Sequence, residues 1–172
     1  TFTMGFFDKL FGGKAKDENT SKFTNQSKTI LTPLQGKVLA QADIPDETFA
    51  QGILGPGCGI EPTGDTVYAP FDGTVTQIAT TLHAVGMTSS EGTELLIHVG
   101  MDTVDMKGQG FTALVKEGQK VTAGTPLLKV DLDAIRAAGH PTATAIIVTD
   151  GADDVKMLAE GDVVPGTPLF KV

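Results

Sequence analysis

Short segments in which apolar and polar residues alternate follow one another from Thr29 to the C-terminus, and glycine or proline separates most of them. Alternation with a period of two is typical of β-strands that bury one face. The pattern indicates an all-β chain. It predicts two hairpin arms between Thr80 and Val104, and further strands at Ile30–Pro33, Lys37–Gln41, Gly59–Pro62, Thr66–Tyr68, Gly73–Thr80, Lys120–Val121, Leu127–Val130, Ala145–Thr149 and Pro168–Lys171.

Helical patterns are few and short. Leu132–Ala138 is predicted to form a helix, with Asp131 as its N-cap and Gly139 just after its end. Ile44–Phe49 is expected to be a loop or a single helical turn, and one more helical turn is expected after Asp153. The chain therefore has one or two short helices among many strands.

Residues 1–28 differ from the rest in composition. Phe6, Phe7, Leu10 and Phe11 share one face of a short amphipathic turn, and the stretch 12–27 is polar. This predicts a flexible N-terminal segment, residues 1–28, followed by one folded domain, residues 29–172. Contact with a membrane surface through residues 4–11 is expected to be weak at most, because one or two turns bury little area.

Two pairs of segments repeat within the chain. LTPLQGKVL at Leu31–Leu39 matches YAPFDGTVT at Tyr68–Thr76, and EGQKVTAGTPLLKV at Glu117–Val130 matches EGDVVPGTPLFKV at Glu160–Val172 with one deletion. Duplication of a β unit explains both matches. The expected architecture is an antiparallel β-sandwich or flattened barrel built from two related halves.

Two of the three histidines, His83 and His98, lie on the two arms of the predicted hairpin. A turn centred between Ser90 and Glu91 would place them directly opposite each other, with Cβ atoms about 4.5–5.5 Å apart. Strand alternation puts Leu95, Ile97 and Val99 on the core side and His98 on the other, while the Thr81 hydroxyl can orient an imidazole. The sequence thus predicts two imidazoles in contact.

Neighbouring imidazoles do not both carry a charge comfortably, so at least one should remain a neutral nucleophile near pH 7. Such a nitrogen can attack phosphorus, while the second imidazole stabilises the phosphoryl oxygens. The same pair could bind zinc, with Asp102 as the evident third ligand. Two satisfied histidines on a polar sheet face are a further alternative.

Composition narrows the class of protein. The net charge of −8 argues against nucleic-acid binding, which requires a basic patch. The single cysteine, Cys58, cannot form an internal disulfide, so a cytoplasmic protein is expected. No apolar run approaches the roughly 20 residues that a transmembrane helix needs. Cys58 also lacks basic neighbours that would activate its thiol, so a buried or loop thiol is expected.

Several segments together resemble one protein family. GTELLIHVGMDTV at Gly92–Val104, followed by KGQGF at Lys107–Phe111, is similar to the characteristic segment of the glucose-family IIA component (EIIA) of the bacterial phosphoenolpyruvate-dependent sugar phosphotransferase system (PTS). APFDGTV and TLHAV agree with it, as does IPDETFAQGILGPGCGIEPTGD at Ile44–Asp65. The resemblance covers almost all of the predicted domain.

The resemblance implies a β-sandwich phosphocarrier without a cofactor. His98 would accept a phosphoryl group on Nε2 from the phosphorylated histidine phosphocarrier protein (HPr) and pass it to a cysteine of a sugar-specific EIIB domain. His83 would stabilise the phosphoryl group, and Thr81 would orient a histidine. The implied rim for partner binding comprises Asp46, Phe49, Ile53, Leu96, Asp102 and Val104.

Other functions stay open at this stage. His98 and Asp102 have the spacing found in a zinc-dependent hydrolase of the duplicated β type, although its HxH pair is missing. A non-catalytic regulatory binding module is the second alternative. The resemblance also implies no resident metal, although His83 and His98 are candidate ligands for a zinc ion shared with a regulatory partner. The sugar, and whether this domain belongs to a larger permease, stay undetermined.

Overall fold

The structure, a computed structural model, describes residues 21–172, and nearly all regular structure in this part is β. The helices are α1 (Glu47–Ala50) and α2 (Leu132–Ala137), with 3-10 turns at Gln41–Asp43 and Thr103–Met106. The strands are β1 (Thr29–Leu31), β2 (Gly36–Leu39), β3 (Gly57–Pro62), β4 (Thr66–Tyr68), β5 (Gly73–Ile78), β6 (Ala84–Ser89), β7 (Glu94–His98), β8 (Phe111–Ala113), β9 (Lys120–Val121), β10 (Pro126–Val130), β11 (Thr144–Asp150), β12 (Lys156–Met157), β13 (Asp162–Val163) and β14 (Pro168–Lys171).

The largest sheet has eight strands in the order β13-β2-β3-β11-β7-β6-β5-β9, and every neighbouring pair is antiparallel. Two smaller sheets, β1-β14-β12 and β4-β10-β8, complete the described strands. The predicted antiparallel all-β fold with short helices is confirmed. Strand β7 lies between β11 and β6, so the segment that carries His98 is held from both sides.

The sequence repeats occupy equivalent places in the sheets. Strand β1 pairs with β14 as β4 pairs with β10, and β2 pairs with β13 as β5 pairs with β9. The two halves also exchange reciprocal hydrogen bonds: the Leu31 amide donates to the Pro70 carbonyl (3.0 Å), and the Tyr68 amide donates to the Pro33 carbonyl (2.8 Å). These residues correspond in the repeat, so the halves are related by an approximate two-fold axis.

Apolar side chains are buried on both faces of the central strands. The larger cluster includes Ile97 and Val99 of the β7 arm, both almost fully buried, as strand alternation predicts. A smaller cluster covers the opposite face and consists of Ile44, Phe49, Met101, Ala145 and Ile147, with Leu96 packed against it. His98 lies on the face of the smaller cluster.

The helices match the sequence in part. Helix α2 is confirmed, and the Asp131 side chain accepts a hydrogen bond from the Ala134 amide (3.0 Å) as the predicted N-cap. Ile44–Phe49 was expected to be a loop or a single helical turn, and it contains the start of the short helix α1. The helical turn predicted after Asp153 is wrong, because the chain there is irregular and then extends into β12, which pairs with β14. Strand β8 was not predicted, since it spans only three residues beside several glycines.

The flexible N-terminal segment, residues 1–28, stays a prediction. The amphipathic turn at 4–11 and most of the polar stretch lie outside the described residues. Residues 21–28, at the end of this segment, make specific contacts with the domain. The Phe23 ring stacks against Tyr68 with centroids 5.5 Å apart and lies against Gly124 and Gly166, which are equivalent positions of the repeat. Ser27 donates a hydrogen bond to the Glu91 carboxylate (2.6 Å).

We predict that the repeated proline-glycine turns need their glycines for close strand packing. A Cβ atom at Gly36 would lie 2.1 Å from the Glu61 carbonyl oxygen, and one at Gly73 would lie 2.2 Å from the Thr88 carbonyl oxygen. Alanine at either position should therefore lower the free energy of unfolding by about 1–3 kcal/mol. Urea unfolding monitored by circular dichroism measures this effect.

Gly86 provides the matched control because it also lies in the large sheet but has room for a side chain. A Cβ atom at Gly86 would lie 3.5 Å from its nearest neighbour, an ordinary van der Waals distance. Gly86→Ala should leave stability unchanged or raise it by about 0.5 kcal/mol. Equal effects of all three substitutions would contradict the steric explanation.

Candidate active site

The hairpin of β6 and β7 has a different register from the one predicted. Ala84, not His83, lies opposite His98, because the loop contains three residues, Ser90 to Gly92, instead of two. The Ser89 amide donates to the Thr93 carbonyl (2.8 Å), and Gly92 has a left-handed φ of 92°. A three-residue loop that ends in a left-handed glycine is a common alternative to the two-residue turn. The prediction of direct pairing was therefore wrong by one residue.

The two imidazoles are nevertheless in contact. Their ring centroids lie 4.8 Å apart with an edge-to-face angle of 80°. His83 precedes β6, and Leu82 before it has a φ of 64°, which interrupts the extended chain. His83 is 7% exposed, and its ring centroid also lies 6.5 Å from that of the core residue Phe111. The predicted contact thus arises at the irregular end of the hairpin arm.

His98 is fixed through one ring nitrogen. Its Nδ1 lies 2.9 Å from the carbonyl oxygen of Gly100, which can only accept a hydrogen bond. Nδ1 must therefore carry the proton, and the lone pair of the neutral ring lies on Nε2. Gly100 has a φ of 74°, and a Cβ there would lie 2.5 Å from the Thr103 methyl carbon. The turn that orients His98 hence requires glycine.

His83 is fixed by Thr81, as the sequence predicts. The Thr81 hydroxyl lies 2.8 Å from Nδ1 of His83. A hydroxyl can donate to or accept from this nitrogen, so the bond persists in both charge states of the ring. Leu82 between them has a left-handed conformation, which costs a bulky residue about 1–2 kcal/mol. The chain accepts this strain where the Thr81–His83 contact forms.

Helix α1 covers His98 from the side. The Phe49 ring lies 4.9 Å from the His98 ring, centroid to centroid. Asp46 caps the helix by accepting hydrogen bonds from the Thr48 amide (2.9 Å) and the Phe49 amide (3.3 Å). The cap sets the start of α1 and thereby the position of Phe49.

Burial and charge hold both imidazoles toward the neutral form. Burial lowers the pKa of His98, and repulsion from His83 lowers it further, against the Gly100 hydrogen bond and the negative charge of Asp46. Burial also lowers the pKa of His83, opposed by hydrogen bonding to the backbone of Thr81. At neutral pH, His98 therefore presents an uncharged Nε2 that can act as a nucleophile.

The apolar residues of the predicted rim differ in their exposure to solvent. Ile53 is 67% exposed and Val104 is 51% exposed, while Leu96 is half-buried against the smaller cluster. Asp102 is exposed and has a left-handed φ of 59° at the start of the second 3-10 turn. Leu54, which is 42% exposed beside Ile53, was not among the predicted rim residues.

Three other site residues also escaped sequence reasoning. Phe111 and Gly100 belong to the motif, but nothing in the sequence pattern marked either of them as a site residue. Gln41 stood in a segment predicted to be strand.

Cys58 is buried, and burial raises the pKa of its thiol to about 12. This agrees with the inert thiol expected from the sequence, since a thiolate does not form there near neutral pH.

The donor set gives little support to a zinc hydrolase. Among residues 21–172, no three or more His, Cys, Asp or Glu side chains come together in a group that could hold a metal ion. Catalytic zinc sites generally use three protein ligands. The two imidazoles would supply only two of these, so a partner would have to provide the others.

Residues 28–154 match the family described as phosphoenolpyruvate-dependent sugar phosphotransferase system, EIIA 1. The chain belongs to this family. A glucose-specific EIIA component from Halalkalibacterium halodurans is 45% identical over 146 residues, which cover 84% of this chain and 83% of that protein. The zinc-hydrolase alternative is accordingly not favoured.

Other EIIA relatives are parts of longer proteins. The β-glucoside-specific EIIBCA component of Bacillus subtilis is 47% identical over 149 residues, which cover 87% of this chain but only 24% of that protein. The solved structure of glucose permease IIA from Mycoplasma capricolum superposes with a TM-score of 0.78 at 30% identity, covering 87% of this chain and 98% of the other. The EIIA fold thus agrees with the family assignment.

We predict that the pKa of His98 responds in opposite directions to its two charged neighbours. His83→Gln removes a repulsive cation and should raise the pKa, whereas Asp46→Asn removes a favourable charge and should lower it. Asparagine still caps a helix, so α1 is retained in the second variant. Titration of the imidazole signals by NMR measures both shifts.

His140→Gln is the control, since it removes the third histidine, which lies after α2, and should leave the pKa of His98 unchanged. A shift in the same direction in His83→Gln and Asp46→Asn would refute the assigned charges.

In the wild type, both site histidines should titrate below 6.5, so the folded state should lose stability as the pH falls below about 6.5.

Proposed function

We propose that this chain is a histidine phosphocarrier of the sugar phosphotransferase system and that His98 is the phosphoryl acceptor. The observation that carries the proposal is the bond between Nδ1 of His98 and the Gly100 carbonyl, which leaves the Nε2 lone pair beside a second imidazole. The family assignment supports a phosphotransfer component in sugar transport.

The transfer itself forms one bond and breaks one bond. Nε2 of His98 attacks phosphorus as the bond from phosphorus to the donor's histidine nitrogen breaks, and the donor histidine leaves with the electron pair. Positive charge develops on the His98 ring, where the Gly100 carbonyl and the charge of Asp46 stabilise it. Forwarding to the next carrier reverses these events, with a thiolate of that carrier as the attacking group.

His83 acts on the phosphoryl oxygens and not on phosphorus. When the Thr81 hydroxyl donates to Nδ1 of His83, the ring proton lies on Nε2, and this Nε2–H donates a hydrogen bond to an oxygen of the group on His98. A donor that is fixed in advance stabilises transferred charge without reorganisation. Burial beneath the apolar rim strengthens this interaction because water is excluded.

The proposed partners are phosphorylated HPr as donor and an EIIB domain as acceptor. Relatives in which EIIA is joined to EIIB and EIIC support the second partner. Relatives in the family are specific for glucose, β-glucosides or mannose, so the family assignment alone does not select a sugar. The buried free thiol of Cys58 supports a cytoplasmic location. No helix among residues 21–172 is long and apolar enough to span a membrane.

We predict acid-labile phosphate on His98 after incubation with phosphoenolpyruvate, enzyme I and HPr. Mass mapping under alkaline conditions should place one phosphate on the peptide that contains His98, and His98→Gln should abolish it. His140→Gln should be phosphorylated normally and serves as the control for loss of a histidine. Full labelling of His98→Gln would overturn the assignment.

We further predict that His83→Gln separates acceptance from forwarding. This variant should still be phosphorylated but should transfer the group to an EIIB domain about 10²-fold more slowly, the scale on which loss of one oriented donor reduces a rate. Rapid-quench measurement of transfer from the phosphorylated variant tests this step. Transfer at the wild-type rate would remove His83 from the mechanism.

A further inference from the structure

The side chain of Gln41 makes three hydrogen bonds that join separate parts of the site region. Its Nε2 donates to the Phe49 carbonyl (3.0 Å) and the Gly55 carbonyl (2.8 Å), and its Oε1 accepts from the Gly57 amide (3.2 Å). Both N–H groups and the oxygen of the amide are therefore used. Side-chain hydrogen bonds generally go to backbone or water, and these three bonds of the half-buried Gln41 all go to backbone.

The bonded carbonyls mark the two ends of one loop. Phe49 is the residue that stacks on His98, and Gly55 follows the exposed apolar pair Ile53 and Leu54. Gly52 and Gly55 have positive φ values of 74° and 139°, so the loop between them folds back sharply. A single side chain thus links the residue that covers His98 to the most exposed apolar part of the rim.

Packing holds the two ends of this loop, Phe49 in the smaller cluster and Gly55 against the Val148 backbone, but not its middle, where Ile53 and Leu54 are exposed. A depression of about 410 Å³ lies against it, lined by Gln41, Gly52–Pro56, Ala152 and Asp153. A side of the loop that faces open space gains little from dispersion contacts. The remaining hydrogen bonds of the loop amides are local, such as Gly55 to Gly52 (3.1 Å) and Ile53 to Thr48 (3.3 Å). The connection to the preceding 3-10 turn therefore runs through the Gln41 amide.

We infer that Gln41 is a positioning residue for phosphoryl transfer: it holds the loop 49–55 so that Phe49 covers His98 and Ile53–Leu54 meet the incoming carrier protein. The inference rests on the proposed function for its kinetic part. Its structural part, the placement of Phe49 against His98, is independent of that function. Gln41 touches neither imidazole, so it acts through the loop alone.

The test compares Gln41→Met with the wild type. Methionine has a similar length but lacks the two donors and the acceptor, so the loop should become free to move. KM for phosphorylated HPr should rise about tenfold, as expected when one or two docking side chains lose their placement, while kcat should change less than about threefold. Contacts between the Phe49 and His98 rings should weaken in NMR spectra, and the pKa of His98 should move up toward 6.5 as its burial decreases.

Gln51→Met is the matched control, because it makes the same glutamine-to-methionine substitution at an exposed position directly after α1. Its KM should stay within about twofold of the wild type. Gln41→Glu is the second variant: it keeps the acceptor for Gly57 but sets a carboxylate against two carbonyl oxygens, and it should raise KM at least as much as Gln41→Met. Thermal unfolding of each variant verifies that the sheets remain folded.

The outcomes separate the two claims. If wild-type protein takes no phosphate, the proposed function fails, and the ring contacts and the pKa of His98 still decide whether Gln41 positions Phe49. If the wild type is phosphorylated and Gln41→Met has an unchanged KM, the inference is overturned. A raised KM with unaltered ring contacts and pKa would also overturn it, because Gln41 would then act by another route.

Discussion

The hydrogen bond from Nδ1 of His98 to the Gly100 carbonyl is the contact on which the chemistry of this domain depends. It selects the tautomer with the lone pair on Nε2, and in the proposed transfer it would stabilise positive charge on the ring. The bond needs a carbonyl only two residues after the histidine, which a regular strand does not offer. Gly100 provides this carbonyl through its left-handed backbone. Two hydrogen bonds stabilise the turn: the Thr103 hydroxyl donates to the Val99 carbonyl (2.6 Å), and the Met101 amide donates to the Pro141 carbonyl (3.0 Å).

The duplicated architecture explains how an irregular site can rest on a stable scaffold. The proline-glycine turns of the two halves exchange reciprocal hydrogen bonds, and their glycines let neighbouring strands pack closely. The two halves therefore form a frame of regular strands. The hairpin of β6 and β7 lies outside the repeated sequence segments, although in the strand order of the large sheet β6 and β7 occupy places equivalent to those of β3 and β11. Its arms are anchored by β11 on one side and β5 on the other. Strain at Leu82 and the turn at Gly100 is confined to the ends of these anchored strands, where the two imidazoles meet.

Sequence patterns predicted the fold, the repeat and the contact between the imidazoles, but not the geometry that produces this contact. Alternation correctly placed Ile97 and Val99 in the core, because a period of two survives any error in register on a single strand. The register between strands depends on the loop, and a three-residue loop ending in Gly92 was not distinguished from a two-residue turn. Gln41 could not be predicted, since its role comes from three backbone groups that are distant in sequence and adjacent only after folding.

The electrostatic balance at the site connects burial with carrier function. A phosphocarrier must accept and release the same group, so neither state of His98 can be strongly favoured. Burial and the neighbouring His83 disfavour a charged ring, which keeps Nε2 nucleophilic, while Asp46 and the Gly100 carbonyl favour the charge that develops during attack. The opposing effects on the charge state of His98 come from separate elements. The rim and α1 control the burial of the ring, and the Gly100 turn controls its tautomer. In the proposed function, docking of a partner on Ile53 and Val104 would remove more water and amplify both contributions, which would couple the transfer step to the binding surface.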